Sequence, residues 1–307
     1  MRVGVLGTVI STEVAIEALI ESGLKPEFVV TLPPESSHRH SDYVDLQPLC
    51  LKEGISCWVT DDANDPAVVE ELRSLDVDVI LVIGWSRLVG EDFRRIARKG
   101  VIGYHPTLLP KMRGRAALAW TIELDVRRTG GTLFWIDDGI DTGDIFAQED
   151  FDLTGDEYLG DLIRLQMSNL RSLVRQAAEK LKSGSYPRRA QNHEEASFLS
   201  LRRPQDAEID WRETADTIQR LIRAVSKPYP GAFSHLGGTR ITIWRASVID
   251  MHNWHALVGQ LFSYADGDPV VRCGGSTSLR LQEFDLDTGT LRQAGSQPVL
   301  GRKHAQP

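Results

Sequence analysis

The sequence predicts an α/β protein: a doubly wound, mostly parallel, Rossmann-like sheet followed by a small β-barrel-like C-terminal domain. Three observations point there. Short, nearly continuous apolar runs alternate with amphipathic segments through the first half, the pattern of strands buried under helices on both faces. Near residue 203 this gives way to short strand-like runs separated by Gly, Asp and Ser, as in small all-β domains. A length of 307 residues accommodates about two domains of ordinary size.

Taken in order, Val3 to Leu6 is a buried strand, and Glu13 to Ser22 sets Val14, Ile16, Ala18, Leu19 and Ile20 along a helix that Gly23 stops. Phe28 to Leu32 is the second strand, ended by Pro33-Pro34, and Glu35 to Asp42 is a polar loop. Asp65 caps a helix that runs to Leu75, with Pro66 in its first turn. Val77 to Ile83 is the most hydrophobic strand, and a helix from Glu91 to Lys99 ends at Gly100. This βαβ series places the working edge at the carboxyl ends of its strands. Thr132 to Ile136 is a further strand, and Tyr158 to Leu181 a long amphipathic helix. The polar, proline-broken stretch from Ser183 to Pro204 reads as a linker, giving domains of 1–203 and 204–307. Beyond it, Ile241 to Val248, Val258 to Tyr264, Val270 to Cys273 and Ser278 to Glu283 are short strands, and Arg302 to Pro307 carry no pattern.

Lys+Arg total 35 against Asp+Glu 43, a formal net charge of −8, which argues against a general basic surface for nucleic acid. A hydrophobic share of 41% with 25% charged residues excludes disorder for the bulk of the chain. Cys50, Cys57 and Cys273 show neither an even count nor a C-x-x-C spacing, so no disulfide framework or zinc site is expected. Met1-Arg2 leads straight into the first strand without the layout of a signal peptide, and the run Val79 to Ile83 is too short to cross a bilayer. A cytoplasmic protein with no membrane partner is expected.

Gly7-Thr8 follows the first strand but lacks the spacing of a phosphate-binding loop. His38, His40 and Asp42 form a polar loop without a second ligand set, so metal binding is not expected. Two other segments carry more. In Gly103-Tyr104-His105-Pro106-Thr107-Leu108-Leu109-Pro110-Lys111-Met112-Arg113-Gly114-Arg115, prolines fix the backbone where a strand gives way to a loop holding one histidine. In Ile136-Asp137-Asp138-Gly139-Ile140-Asp141-Thr142-Gly143-Asp144-Ile145, aspartates interleaved with glycines form a tight acidic turn. Taken alone, each has a bland reading: a structural histidine and a solvated turn.

In this order and about 35 residues apart, the two segments resemble the folate-dependent formyltransferase family, whose members formylate methionyl-tRNA, glycinamide ribonucleotide or nucleotide-linked amino sugars. The first follows N-x-H-P-S-L-L-P-x-x-R-G at all fixed positions but two, and Gly139 to Ile145 follows G-x-D-x-G-x-I. The likeness runs from Met1 to about Leu181, and Pro228 to Phe233 with Thr239-Arg240-Ile241 resembles the start of the family's C-terminal domain. It implies an N-formyltransferase using N10-formyltetrahydrofolate. An amine attacks the formyl carbon, an oxyanion develops, and the attacking nitrogen loses a proton. By resemblance His105 is the base or a polariser of the formyl oxygen, since an imidazole exchanges protons near neutral pH, and Asp141 orients it or relays the proton. The donor-binding positions map onto Trp85, Arg87, Leu88 and Val89 and onto Ile136, Asp137, Asp138 and Gly139. Lys111, Arg113 and Arg115 would face acceptor phosphates, with Trp120 and Tyr229 available for stacking; Arg113 is equally readable as structural.

Two departures from the family bear on the chemistry. Gly103 stands where the family has an oxyanion-donating asparagine, a type of donor worth about 10²–10³ in rate. Three readings follow: another group replaces the donor, glycine makes room for a larger acyl group, or activity is lost, leaving a folate- or nucleotide-binding sensor. The retained His105 and Asp141 favour the first two. Phe134, where relatives often have histidine, suggests a drier pocket wall or, more simply, core packing. From Pro204 onward the chain carries 11 Lys+Arg and 11 Asp+Glu, a neutral appendage poorly suited to a tRNA backbone. The acceptor expected is therefore a nucleotide-linked amino sugar, with methionyl-tRNA as the alternative. By resemblance to sugar-modifying members, a homodimer is expected.

Overall fold

The structure is a computed structural model that describes residues 1–39, 42–236, 239–286 and 298–301. His40 of the 38–42 loop and the terminal stretch 302–307 lie outside the described residues. The chain packs as two compact units. One comprises Met1–Ala117, Arg128–Asp152 and Ile163–Ser200; the other gathers Leu118–Arg127 and Leu153–Leu162 with the described part of the chain from Leu201 onward.

In the first unit β1 (Val3–Leu6), β2 (Phe28–Thr31), β3 (Ser56–Val59), β4 (Val79–Val82) and β5 (Gly100–His105) alternate with α1 (Ile10–Glu21), α2 (Gln47–Glu53), α3 (Pro66–Arg73) and α4 (Glu91–Arg94). Along the chain then come β6 (Arg113–Gly114), α5 (Ala117–Glu123), which from Leu118 belongs to the second unit, β7 (Arg128–Trp135), β8 (Ile145–Asp152), α6 (Leu159–Lys182), which joins the first unit from Ile163, and β9 (Phe198–Leu199). The main sheet has the order β3-β2-β1-β4-β5-β7-β8. The first five strands are parallel, while β7 and β8 join antiparallel. Neighbouring residues of a strand enter opposite core layers, as a period of two requires: Leu81 and Ile102 pack with α1 and α6, Ile80 and Val101 with Phe28, Leu72 and Phe93. The order turns between β1 and β4, and the loops after β4 and β5 leave the sheet together at the carboxyl edge beside that point, where α/β sheets bind ligands.

Several expectations shift. The helix expected over 91–99 is only the four residues of α4, because Arg98 and Lys99 donate their amides to the carbonyls of Val77 and Asp78 and draw the chain back along β4. The β3 and β8 strands were not anticipated: β3 is an exposed edge, and β8 carries four acidic or amide side chains in eight residues. The stretch expected to be a linker lies against the first unit instead. Arg189 exchanges two backbone hydrogen bonds with Ile145, Trp135 Nε1 donates to Pro187 O, and β9 pairs with β6.

In the second unit α7 (Ala215–Ala224) packs on an antiparallel sheet of β10 (Ala232–Leu236), β11 (Thr239–Ile249), β12 (Leu261–Ala265), β13 (Asp268–Arg272) and β14 (Ser278–Asp285), in the order β10-β11-β14-β13-β12. Among the described residues no helix is long and apolar enough to cross a membrane, and no cluster of side chains could hold a metal ion.

Candidate active site

His105 is the last residue of β5 and only 5% exposed. Its Nε2 lies 2.7 Å from the carbonyl oxygen of Met112. A carbonyl only accepts, so Nε2 carries a proton and Nδ1 is the atom turned to Asp141, whose Oδ2 lies 3.6 Å away. That same Oδ2 accepts the Gly114 amide at 2.8 Å. The two sequence motifs therefore meet in one place. Both loops are bent to make the meeting: Asp141 has φ +54° and Met112 φ +60°, left-handed conformations that non-glycine residues adopt at a cost.

A buried network holds the histidine loop. Thr132 Oγ1 donates to Thr107 O at 2.7 Å, Gln148 Nε2 donates to Leu109 O at 2.9 Å, and Gln166 Nε2 donates to Pro106 O at 3.1 Å. Tyr104 donates its hydroxyl to Gln166, and burial raises that phenol's pKa, keeping it a donor. The far end of the loop is clamped by the 183–200 segment. Met112 donates its amide to Ser197 Oγ, and Gly114, at φ +110°, runs so close to β9 that a Cβ would lie 2.5 Å from Leu199 O.

Arg113 corrects one expectation. It is 2% exposed, with Nη2 donating to Gln191 Oε1 at 2.6 Å and lying 3.1 Å from His193 Nδ1. The guanidinium is consumed in holding the loop and does not face an acceptor phosphate. Arg115 is exposed but donates to Ser86 O at 2.6 Å, tying the loop to the segment after β4, while Lys111 is exposed.

The residues expected around the donor divide similarly. Asp137 Oδ1 closes its own turn by accepting from Gly139 N and Thr142 Oγ1, Asp138 pairs with Arg94, and Ile136 N donates to Val101 O. In the loop after β4, Arg87 reaches Asp61 O and Asn64 binds Leu88 O, whereas the amides of Arg87, Leu88 and Val89 donate to no protein group among the described residues. The Trp85 indole Nε1 is buried without a partner among them. A row of available main-chain donors beside an orphaned indole N–H suits a polar planar ligand.

Gly103 and Phe134 are register partners across β5 and β7. A Cβ on Gly103 would sit 3.0 Å from Phe134 Cε1 and Cζ and 3.1 Å from Ile136 Cγ1. Phe134 is 5% exposed, so its ring already fills the space a side chain at 103 would need. The glycine therefore accommodates the ring, and a side chain at 103 requires Phe134 or Ile136 to give way by a few tenths of an ångström.

Trp120 and Tyr229 belong to the second unit; the Arg202 guanidinium lies 4.9 Å from the Trp120 ring centre, and Tyr229 N donates to Ser226 O. Gln191 is a site residue that the sequence did not disclose. It lies 50 residues from Asp141 in a polar stretch, and no local pattern marks it.

A paired histidine and carboxylate lie at the carboxyl edge of a doubly wound sheet, where α/β proteins bind ligands. Residues 1–174 match the formyl transferase family and residues 202–294 the formyl transferase C-terminal domain. The chain belongs to that family. A methionyl-tRNA formyltransferase of Agathobacter rectalis is 32% identical over 298 residues, covering 96% of this chain and 95% of that protein. The N-formyltransferase of Helicobacter canadensis, solved with folinic acid and dTDP-3-aminofucose, has a TM-score of 0.69 at 20% identity, covering 92% of this chain and 99% of that one. HypX of Aquifex aeolicus, solved with tetrahydrofolic acid, has a TM-score of 0.64 at 18% identity, covering 92% of this chain and 44% of that one.

Proposed function

We propose that this chain transfers a formyl group from N10-formyltetrahydrofolate to the amine of a nucleotide-linked amino sugar. The observation that carries formyl transfer is the His105–Asp141 pair, 3.6 Å apart at the sheet edge, with His105 buried and Asp141 partly exposed. When bound, the folate supplies a nitrogen-bound formyl carbon open to attack by an amine. The free amides at Arg87, Leu88 and Val89 and the Trp85 indole are the groups suited to hold its pterin edge. His105, held through Nε2 by Met112 O, presents Nδ1 as the atom that receives the proton of the attacking amine, and Asp141 stabilises the resulting imidazolium. Asp141 is itself held by the Gly114 amide, so the pair is set before substrate arrives.

The acceptor reading rests on the net charge of −8 and the even balance of 11 basic and 11 acidic residues beyond Pro204, which offer little to a polyanionic tRNA. With Arg113 committed to the loop, Lys111 and the remaining donors of the exposed Arg115 are the cationic groups of the loop left for an acceptor phosphate. Methionyl-tRNA is the second reading, favoured by 32% identity over nearly the whole of a methionyl-tRNA formyltransferase. Incubating purified protein with N10-formyltetrahydrofolate and either a panel of nucleotide amino sugars or charged initiator tRNA, with products read by mass spectrometry, separates the two. Formylated amino sugar is expected; formylation of the tRNA alone would overturn the acceptor reading.

A further inference from the structure

We infer that Gln191 is a positioning residue that sets the His105–Asp141 pair by fastening the two catalytic loops to each other. Its carboxamide is fully used: Oε1 accepts from Arg113 Nη2 at 2.6 Å and Nε at 3.3 Å, and Nε2 donates to the carbonyls of Asp141 at 2.9 Å and Gly143 at 2.7 Å. A primary amide has two donor hydrogens and one oxygen with two lone pairs, and each meets a partner here. Gln191 is 5% exposed, so water does not replace these bonds when they are lost.

The two ends of the bridge bracket the pair. Arg113 follows Met112, whose carbonyl holds His105, and precedes Gly114, whose amide holds the Asp141 carboxylate. Asp141 carries the carboxylate on its own strained turn, and Gly143, two residues on, lies so close to β7 that a Cβ there would fall 1.7 Å from Trp135 O. Gln191 is thus the one described side chain that hydrogen-bonds both loops. Without it, Gly114 N to Asp141 Oδ2 is the remaining direct hydrogen bond between them.

Gln191→Glu keeps the size and the Arg113 contact but turns carboxylate oxygen toward two carbonyls, so the acidic turn is pushed away while the loop stays anchored. The inference rests on the formyl-transfer reading, and two readouts keep the two apart. In turnover, Gln191→Glu should lower kcat about 10- to 100-fold with little change in the KM for the folate. In an Asp141→Asn background the same change should cost less than about 3-fold, because the group it positions is already gone. Equal losses in both backgrounds, or wild-type kcat, would overturn it. Independently of any substrate, the ring 15N resonances of His105 should shift on Gln191→Glu and stay in place when Gln191→Glu is added to Asp141→Asn; no shift in the first case contradicts the inference. Wild-type protein inactive with every acceptor would count against the formyl-transfer reading and leave the 15N result to decide the role of Gln191.

Discussion

Gly103 and Phe134 face each other across β5 and β7 so closely that a Cβ on the glycine would lie 3.0 Å from two ring carbons of the phenylalanine. The departures at Gly103 and Phe134 are thus packed against each other, and a side chain at 103 meets the Phe134 ring. Gly103→Asn is expected to overpack the site, destabilise the fold by about 1–3 kcal/mol, and lower formyl transfer. Combining it with Phe134→Ala should recover part of the stability, giving a non-additive cycle in thermal denaturation. Additive effects would show that the residues are not coupled.

The buried Arg113 leads to a stability prediction. Arg113→Lys keeps the charge but loses the fork that binds Gln191 Oε1 through Nε and Nη2. A loss of about 1–3 kcal/mol is expected in denaturant titration, with a larger effect on kcat than on acceptor KM. A rise in acceptor KM alone would return Arg113 to a phosphate-binding role.

The cysteines give a pH-dependent test. The Cys50 thiol hydrogen-bonds to the Cys57 sulfur, which raises the pKa of Cys50 and lowers that of Cys57, while burial pushes Cys273 up to about 12. A lowered thiol pKa means more thiolate at a given pH. Cys57, which is partly exposed, should therefore be the single residue alkylated by iodoacetamide in native protein at neutral pH, and Cys50→Ala should slow that reaction. Peptide mapping by mass spectrometry reads both outcomes.

What the sequence disclosed follows from where it buries its side chains. The strands β1 and β4 are apolar at every position because flanking layers cover both faces of the sheet there, so continuous apolar runs mark them. The edge strand β3 and the second half of β8 are partly exposed and look like loop sequence. His105 and Asp141 are recognisable because each sits in a short motif with fixed neighbours. Gln191 is not, because its role comes from contacts made across 50 and 78 residues of chain. Arg113 shows the converse: a sequence displays the charge of a residue but not its burial, and burial decided its role.

We propose that His105 and Asp141 move the proton in formyl transfer. The most direct test is the single-turnover rate from N10-formyltetrahydrofolate to a competent acceptor for wild-type protein, His105→Ala and Asp141→Asn, with folinic acid affinity measured in parallel. Both variants should lose roughly 10²–10⁴ in rate while folinic acid affinity stays near wild type. A near-wild-type rate in either variant, with binding intact, would remove that residue from the proton transfer.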